Sequence, residues 1–298
     1  MFKISNTFLL SILILVLFGI SFTVKAQIND IARIDYTIIP SSSDVEFTRV
    51  RAILNYPIKL KEDKYLFLGF DYSNIQLNLL EGNYPFDVNQ LNDFHLVDLS
   101  VGYLAKISED WRFGIRFRPG FSTNLTSNDI TFEDKSLSGE LLFIKQWDES
   151  EKSKKRRLIV GVSYSENRGF SYPLPFISYS KKFKEKWSYN IGIPRTNLQY
   201  HISEKNRVKW LASLDGFTSN VQNGMVLNSG ERVKSINMSV IQSGLQYEYH
   251  LGKRLEIFAR GMYIFDNSVD LRNADRENIF EIDANSKFYF RTGIRCKL

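Results

Sequence analysis

The sequence WRFGIRFR, residues 111–118, alternates apolar and polar side chains without interruption. A β-strand sends successive side chains to opposite faces, so one face is aromatic and aliphatic while the other carries Arg112, Arg116 and Arg118. In a soluble sandwich the apolar face packs on a second sheet, whereas in a membrane barrel it meets lipid and the arginines face the lumen. This one stretch predicts a strand and leaves both architectures open.

The same alternation recurs along most of the chain. The weakest predicted strands are 197–202 and 207–217, because Val208, Leu211, Ala212 and Leu214 also fit a helical spacing. Twelve strands is therefore the alternative to fourteen. With residues 111–121, the predicted strands are 33–39, 47–58, 64–79, 94–105, 138–147, 158–166, 176–183, 187–193, 197–202, 207–217, 236–251, 254–265 and 286–298.

The connections between these strands alternate between two kinds. Short charged turns fall at 61–64, 107–110, 184–186, 203–206 and 252–254, with a longer charged one at 148–157. Longer polar loops fall at 41–46, 80–93, 122–136, 167–173, 218–234 and 266–284. Bacterial outer-membrane barrels have short periplasmic turns and longer outer loops, and a soluble sandwich has no reason for this asymmetry.

The alternation places both ends of the folded chain on the short-turn side, as an even number of strands requires. The connection at 194–196 is the exception, because it falls on the long-loop side and is short. We therefore expect any error in the strand count to lie there.

The N-terminus predicts export. Lys3 precedes an apolar run from Phe8 to Val24, and small residues stand before a predicted cleavage site ahead of Gln27. An uncleaved membrane anchor is the alternative, at the short end of the length that a span needs. We expect a signal peptide at 1–26 and one outer-membrane β-barrel domain at 27–298.

The bulk composition requires neither nucleic acid nor disulfides. Removing Lys3 and Lys25 with the signal peptide lowers the formal charge from +6 to +4, and the remaining charges of both signs are spread along the chain. The single Cys296 has no internal partner for a disulfide.

An aromatic repeat accompanies the short turns, with a ring before the turn and another at the start of the next strand. Amphipathic rings favour the headgroup level of a bilayer, so the repeat predicts an interfacial girdle at this end. Ordinary cross-strand aromatic packing is the alternative. The pairs are Tyr56 and Tyr65, Tyr103 and Trp111, Tyr179 and Trp187, and Tyr200 and Trp210.

The chain ends in a strand whose apolar face includes Phe288, Phe290, Ile294 and Leu298. This register resembles the C-terminal signal of outer-membrane proteins, although Leu298 stands where a terminal aromatic is usual. Over residues 27–298 the chain resembles an uncharacterised, porin-like outer-membrane β-barrel family of Bacteroidetes, with ARIDYTIIP at 32–40 and DVEFTRVRAI at 44–53 similar to its opening strands. The resemblance implies a barrel in the outer membrane, surrounded by lipid and recognised by the barrel-assembly machinery through its last strand, and implies no catalytic residues.

Catalytic and metal-binding patterns are not evident in the sequence. His95, His201 and His250 are the three histidines, and His95 lies on the strand face opposite Asp98 and Ser100. We find no phosphate-binding loop, zinc spacing or calcium loop, and we expect no cofactor. A membrane-embedded lipid hydrolase that uses one histidine is the remote alternative.

The predicted lumen face is rich in arginine. A basic wall lowers the barrier for small anions, so we predict an anion-selective, porin-like lumen. The alternative is that acids across the lumen neutralise these arginines and leave a narrow or closed barrel with a structural role. The candidate lumen-lining residues are Arg49, Arg51, Arg112, Arg116, Arg118, Arg291 and Arg295.

Two long loops contain aromatic residues and offer another route to function. The loop at 80–93 carries Tyr84 and Phe86, and the segment 168–176 carries Phe170 and Tyr172. Such loops either bind a ligand or surface partner, or pack over the barrel mouth. We expect a monomeric all-β, antiparallel up-and-down transmembrane barrel of twelve to fourteen strands, with passive transport of a small anionic solute or a structural envelope role.

Overall fold

A computed structural model of the chain describes residues 30–40, 45–79, 84–127, 129–147, 156–170, 172–284 and 287–297. The predicted signal peptide at 1–26, most of the charged connection at 148–157 and the terminal Leu298 lie outside the described residues.

The described chain is almost entirely β-structure, because the period-two alternation is satisfied strand after strand. Two short 3-10 helices, Val88–Leu91 and Phe132–Asp134, interrupt the loops. The strands are β1 (Ala32–Ile39), β2 (Val45–Lys61), β3 (Lys64–Leu79), β4 (Asp93–Lys106), β5 (Trp111–Thr123), β6 (Lys135–Trp147), β7 (Arg156–Ser165), β8 (Leu174–Phe183), β9 (Trp187–Ile193), β10 (Arg195–His201), β11 (Asn206–Asn220), β12 (Ser235–His250), β13 (Leu255–Arg272), β14 (Asn278–Ile282) and β15 (Phe288–Cys296). Among the described residues, no helix has the length and apolar character needed to cross a membrane.

Fourteen of these strands form a closed antiparallel barrel. Each strand from β1 to β13 pairs with the next, and β15 closes the barrel by pairing with β13 on one side and β1 on the other. The fourteen-stranded prediction is confirmed. The suspected miscount at 194–196 was wrong, because β9 and β10 are both present and only Pro194 separates them.

β11 resolves the ambiguity between helix and strand at residues 207–217. Fifteen consecutive residues of β11 pair with β12, from Asn206↔Tyr249 to Asn220↔Ser235. Ladder pairing and burial of alternate side chains override a local spacing that also fits a helix. The twelve-strand alternative is therefore excluded.

The structure contains a hairpin of β13 and β14 that was not predicted from the sequence, and β14 is not one of the barrel strands. Residues 266–284 were predicted as a loop, whereas β13 continues to Arg272 and pairs with the short β14. Val269, Leu271 and Ile282 are almost fully buried in this hairpin. Their burial gives the extension a reason to form that a polar loop does not have.

The outer face of the barrel exposes a band of apolar side chains. Ile115 and Phe117 are 46% and 53% exposed, and Phe288, Phe290 and Ile294 of the last strand are also exposed. At the short-turn end, Trp187 and Tyr200 are directly paired across β9 and β10 with ring centroids 4.7 Å apart. Cross-strand packing thus accounts for part of the aromatic repeat. Apolar exposure on this scale is not expected of a soluble monomer.

The long-loop end of the barrel is filled by a buried apolar cluster, here called the loop-side core. Inward side chains of β2, β3, β4 and β11 meet in it, and Phe217 packs 6.0 Å from Phe47 and 5.6 Å from Phe94 between ring centroids. The loops β11–β12 and β13–β15 add Met225, Val233 and other apolar residues. The barrel interior is therefore apolar at this end and polar below it.

The wall of the barrel is low on one side. β9 and β10 have seven residues each, whereas β2 and β3 on the opposite side have 17 and 16. Pro194 marks the end of β9 and β10 at the long-loop side. Beyond this level β11 no longer pairs with β10, and its last residue, Asn220, instead forms a parallel pair with Thr123 of β5. The barrel narrows toward the long-loop end, and we call β9 and β10 together the low wall.

Candidate functional site

The inward polar residues surround two cavities, one above the other. The loop-side chamber lies beneath the loop-side core and has a volume of about 550 Å³. The turn-side chamber, of about 1130 Å³, lies toward the short turns. Phe176, Pro194, Arg195 and Leu214 line both cavities, so the upper part of the low wall lies at their junction.

All seven arginines singled out from the sequence line one of the two cavities. They face inward because each occupies the polar side of a strand whose other side is apolar. Arg112 and Arg295 line the turn-side chamber. Arg49, Arg51, Arg116, Arg118 and Arg291 line the loop-side chamber.

Asp215 lies at the centre of the charged network in the loop-side chamber. Its carboxylate accepts hydrogen bonds from Arg49 at 3.0 Å, from Arg291 at 2.6 Å and from the Tyr289 hydroxyl at 2.8 Å. Arg291 also donates to Thr37 Oγ1 at 2.9 Å. One carboxylate on β11 therefore links β2 and β15 across the lumen.

A second set of ion pairs lies on the side of β2 to β6. Arg51 Nε donates to Asp71 at 2.8 Å, and Arg118 pairs with Glu140. Arg168 reaches Asp71 from the β7–β8 loop at 3.5 Å. The first two pairs join neighbouring strands, so these arginines are neutralised along the barrel wall, whereas the sequence alternative placed the acids across the lumen.

The loop-side chamber still contains more arginines than carboxylates. Among the described residues, nine arginines and five carboxylates line it. Arg260 donates from Nε and a terminal nitrogen to the amide oxygen of Gln246, at 2.8 and 2.6 Å, in place of an acid. The guanidinium of Arg195 makes no hydrogen bond or ion pair with any described residue.

The turn-side chamber is lined by cations without acids, as far as the described residues show. Its cationic lining residues are Arg112, Arg156, Arg157, Lys181, Lys182, Arg195, Arg207, Lys209, Arg295 and Lys297. Glu248 and Glu256 are fully buried next to this chamber, and their carboxylates form ion pairs with three of these cations. Lys209 lies 2.6 Å and Arg295 2.7 Å from Glu248, and Lys297 lies 2.6 Å from Glu256. Three cations on two carboxylates leave a net positive surface.

A possible metal-binding geometry occurs in the same place. One ligand atom from each of Glu248, His250 and Glu256 lies within 4.8 Å of the others. The ion pairs with Lys209, Arg295 and Lys297 already supply positive charge to both carboxylates. A further cation there would be repelled by these neighbours.

The histidines bond to their local strand neighbours. The Tyr72 hydroxyl lies 3.0 Å from His95 Nδ1, and His95 Nε2 lies 3.4 Å from Asp93. His201 Nε2 lies 3.1 Å from the Ser188 hydroxyl, with Gln199 as its other partner. In the described parts of the chain, no serine, histidine and carboxylate are joined in one hydrogen-bonded set.

The described part of the first aromatic loop, residues 84–93, packs against the barrel end. Tyr84 and Phe86 lie 5.3 Å apart between ring centroids, and Phe86 meets Phe280 edge-on at 5.5 Å. Both loop residues pack on the loop-side core. This arrangement corresponds to the sequence alternative in which the loop at 80–93 covers the barrel mouth.

A buried carboxylate, Asp134, holds the outer loops together. It accepts hydrogen bonds from the Thr131 backbone N–H at 2.7 Å, from Gln222 at 2.6 Å and from Asn220 at 2.6 Å. Burial raises the pKa of Asp134, but these donors together lower it by more, and the net pKa is below the ordinary value. Asp134 thereby connects the β5–β6 and β11–β12 loops above the loop-side core.

Several lining residues were not selected from the sequence, namely Arg168, Arg195, Asp215 and Arg260. Arg260 had a usable signal, because it lies on the same alternating face as Glu256 in a predicted strand. Arg195 immediately follows Pro194, in the connection whose length looked anomalous. Asp215 lay in the stretch that also fitted a helix, so its direction was undefined.

The chain is similar to several solved structures of membrane barrels. The NanC porin is 12% identical, with 90% of this chain and 98% of that chain covered and a TM-score of 0.36. An outer membrane channel from Pseudomonas putida F1 is 11% identical, with 91% and 96% covered and a TM-score of 0.43. LpxR from Salmonella typhimurium is 8% identical, with 90% and 100% covered and a TM-score of 0.40. No curated protein sequence matches the chain.

A protein family described as a domain of unknown function, DUF6268, matches residues 23–297. The match spans all fourteen barrel strands. The chain therefore belongs to the DUF6268 family.

Proposed function

We propose that the protein is a monomeric outer-membrane barrel of a Gram-negative bacterium that passes small anions in a porin-like manner. The short turns would face the periplasm and the long loops the outside, as in other bacterial barrels. The exposed apolar band, the even strand number and the shared position of Asp30 and Lys297 at the short-turn end support this orientation. The signal peptide at 1–26, the Bacteroidetes origin and assembly through β15 belong to the same proposal.

The observation that carries the proposal is the charge of the turn-side chamber. All of its titratable lining residues among those described are basic, apart from Tyr189. In a lumen screened from bulk water, such a surface attracts small anions and repels cations. The chamber is also the larger of the two cavities, so it has room for hydrated anions.

The loop-side core makes the resting pore closed or nearly closed. Phe47, Phe94 and Phe217 are each 3% exposed or less, and they lie across the axial route to the outside. Passage requires this end to rearrange, which gives the loops a gating role. The same core favours a second candidate, a permanently closed barrel with a structural role in the envelope.

The proposal includes no enzymatic activity. Among the described residues, none of the three histidines has a hydrogen-bonded serine and carboxylate together. Tyr84 and Phe86, in the loop that is a candidate for ligand binding, pack instead on the loop-side core.

Single-channel recording in planar lipid bilayers tests the proposal. With a salt gradient across the bilayer, we expect infrequent, small conductance steps whose reversal potential shows anion preference. Cation preference would contradict the proposal. Absence of conductance, both in the wild-type protein and in a variant with an opened loop-side core, would support the structural alternative.

A further inference from the structure

The low wall is too short to cover the loop-side chamber across a membrane. A transmembrane β-strand needs roughly 9–11 residues, and β9 and β10 have seven each. The shortfall lies at the long-loop end, because β9 begins and β10 ends level with its neighbouring strand at a short turn. The barrel wall therefore ends at Pro194 while β2 and β3 continue on the opposite side.

A segment of the β7–β8 loop replaces the missing strand only partly. The Leu214 N–H donates to the Pro194 carbonyl at 3.2 Å, and the Thr218 N–H donates to the Asn167 carbonyl at 3.2 Å. Gly169 packs closely against β12 and has a φ of +77°. A Cβ atom at this position would lie only 2.3 Å from the Met238 carbonyl oxygen, so no larger residue fits. The segment 166–170 thus spans the upper gap and leaves the wall low between it and Pro194.

The lining of the loop-side chamber includes a residue of the β7–β8 loop that lies on the molecular surface beside this gap. Tyr172 lines the chamber and is 57% exposed. Phe170 meets Tyr172 edge-on with ring centroids 6.3 Å apart, and Leu174 and Phe176 continue the same lining. We call these four residues the lip. The surface beside the gap is therefore apolar and aromatic.

The charge behind the lip is positive and incompletely paired. Arg195 begins β10 at the top of the low wall, and its guanidinium has no hydrogen-bonding or ion-pairing partner among the described residues. Arg260 is 7% exposed and is held by an amide. Arg195 is exposed and lines both cavities, so its positive charge is accessible to an anionic ligand inside the barrel.

An apolar lip in front of a cationic chamber matches an amphiphile. The chamber volume of 550 Å³ lies within the usual range for small-molecule sites and suits a head group, while an acyl chain would lie along the lip and in the surrounding lipid. The loop-side core blocks direct axial entry from the long-loop end. The gap beside Pro194 is then the entrance nearest to the outer part of the membrane.

We propose that the loop-side chamber binds the phosphate head group of an anionic amphiphile that enters sideways over the low wall. This inference rests on the proposed function for the membrane setting, and it adds a ligand class and an entry route that anion passage does not require. Arg195 is the residue that we expect to contact the phosphate first.

Binding is tested with the full mature chain in nonionic detergent micelles. The probes are lysophosphatidic acid, lysophosphatidylcholine with the same acyl chain, and inorganic phosphate, each titrated by calorimetry. We expect lysophosphatidic acid to bind and the other two to bind at least about tenfold more weakly. Inorganic phosphate binding as tightly as the lipid would show a plain anion site and overturn the amphiphile proposal.

Two matched variants locate the site. Arg195→Gln is expected to weaken lysophosphatidic acid binding by about tenfold or more, because it removes a charge-assisted contact. Arg254→Gln makes the same change at an exposed short turn and is expected to bind like the wild type. Heat-modifiable migration on a gel checks that both variants are folded. Equal affinity of wild type and Arg195→Gln would overturn the assignment of the site.

Photo-crosslinking in bilayers tests the entry route. A phosphatidic acid with a photoactivatable acyl chain should label residues 172–176 and 193–195 in preference to outward positions such as Val50 and Leu68 on the opposite wall. Even labelling around the barrel would overturn lateral entry. Because conductance is recorded separately, anion-selective channels without lipid binding would reject this inference alone, whereas loss of both would reject the proposed function as well.

Discussion

Arg291 donates a 2.6 Å hydrogen bond to Asp215 across the lumen, although 76 residues separate the two in the chain. The same carboxylate accepts from Arg49, so three distant strands share one negative charge. Removal of Asp215 takes away the ion-pair partner of Arg49 and, among the described residues, leaves Arg291 with only its longer contact to Asp35, at 3.5 Å. The stability of the barrel should therefore depend on Asp215 more than on a typical acidic residue.

Asp215→Asn is expected to destabilise the barrel by about 3 kcal/mol, because breaking a buried ion pair leaves uncompensated charge. The measurement is unfolding by urea in detergent or lipid vesicles, followed by tryptophan fluorescence. Asp110→Asn makes the same change at an exposed short turn and serves as the control. Equal unfolding midpoints for the two variants would show that the cluster is not important for stability.

Phe217→Ala is expected to raise the open probability and conductance, because it removes the ring that packs against Phe47 and Phe94. It should also lower stability by about 3 kcal/mol, as large-to-small changes in cores do. Planar bilayer recording measures the first effect. Phe117→Ala, on the exposed outer face, is the matched control. Unchanged conductance in Phe217→Ala would place the constriction elsewhere.

Lys182→Glu is expected to weaken anion preference, since it introduces a negative charge among the cations of the turn-side chamber. The reversal potential in a salt gradient should move toward the value for cations. Lys61→Glu carries the same charge change at the exposed end of β2 and should leave the reversal potential unchanged. Equal shifts in both variants would point to a surface-charge effect outside the lumen.

Asp134 predicts a pH-dependent attachment of the outer loops. Its pKa in the folded protein is lowered, so its carboxylate contributes stability that is fully present above the unfolded value of about 3.9. This contribution is lost as the pH falls from there through the lowered pKa, because the protonated acid accepts fewer hydrogen bonds. Amide hydrogen exchange at residues 129–134, corrected for intrinsic rates, should therefore increase below about pH 4.

Asp134→Asn separates this effect from general acid unfolding. The variant should exchange faster at residues 129–134 already at neutral pH, and its corrected rates should change less on acidification. Residues 273–277, whose contacts do not involve Asp134, serve as the internal control. A wild-type segment 129–134 with the same corrected rates at pH 6 and pH 3 would contradict the assigned role.

The sequence was sufficient to predict the barrel because one rule, period-two alternation, governs nearly every strand. Trp111 to Arg118 already contains the rule, and β15 repeats it with Phe288 and Phe290 exposed and Tyr289 buried. β14 was not predicted, because a five-residue strand in a loop has too few alternations to detect. Its formation depends on tertiary burial of Ile282.

The two chambers could be predicted only in part. Inward arginines follow from alternation, but the link between Arg49, Asp215 and Arg291 depends on how the closed barrel brings β2, β11 and β15 together. The loop-side core did leave a local signal. Val45 and Phe47 occupy the same face as Arg49 and Arg51, so the inward face changes from polar to apolar toward the long loops.

The low wall also affects how the protein would sit in its membrane. β2 and β3 are 17 and 16 residues long, whereas β9 and β10 are seven residues long. A bilayer of uniform thickness cannot match both sides of an upright barrel, so the lipid thins beside β9 and β10 or the barrel axis tilts. In the proposed membrane setting, hydrophobic mismatch therefore gives the molecule a preferred inclination and a distinct lipid environment on one side.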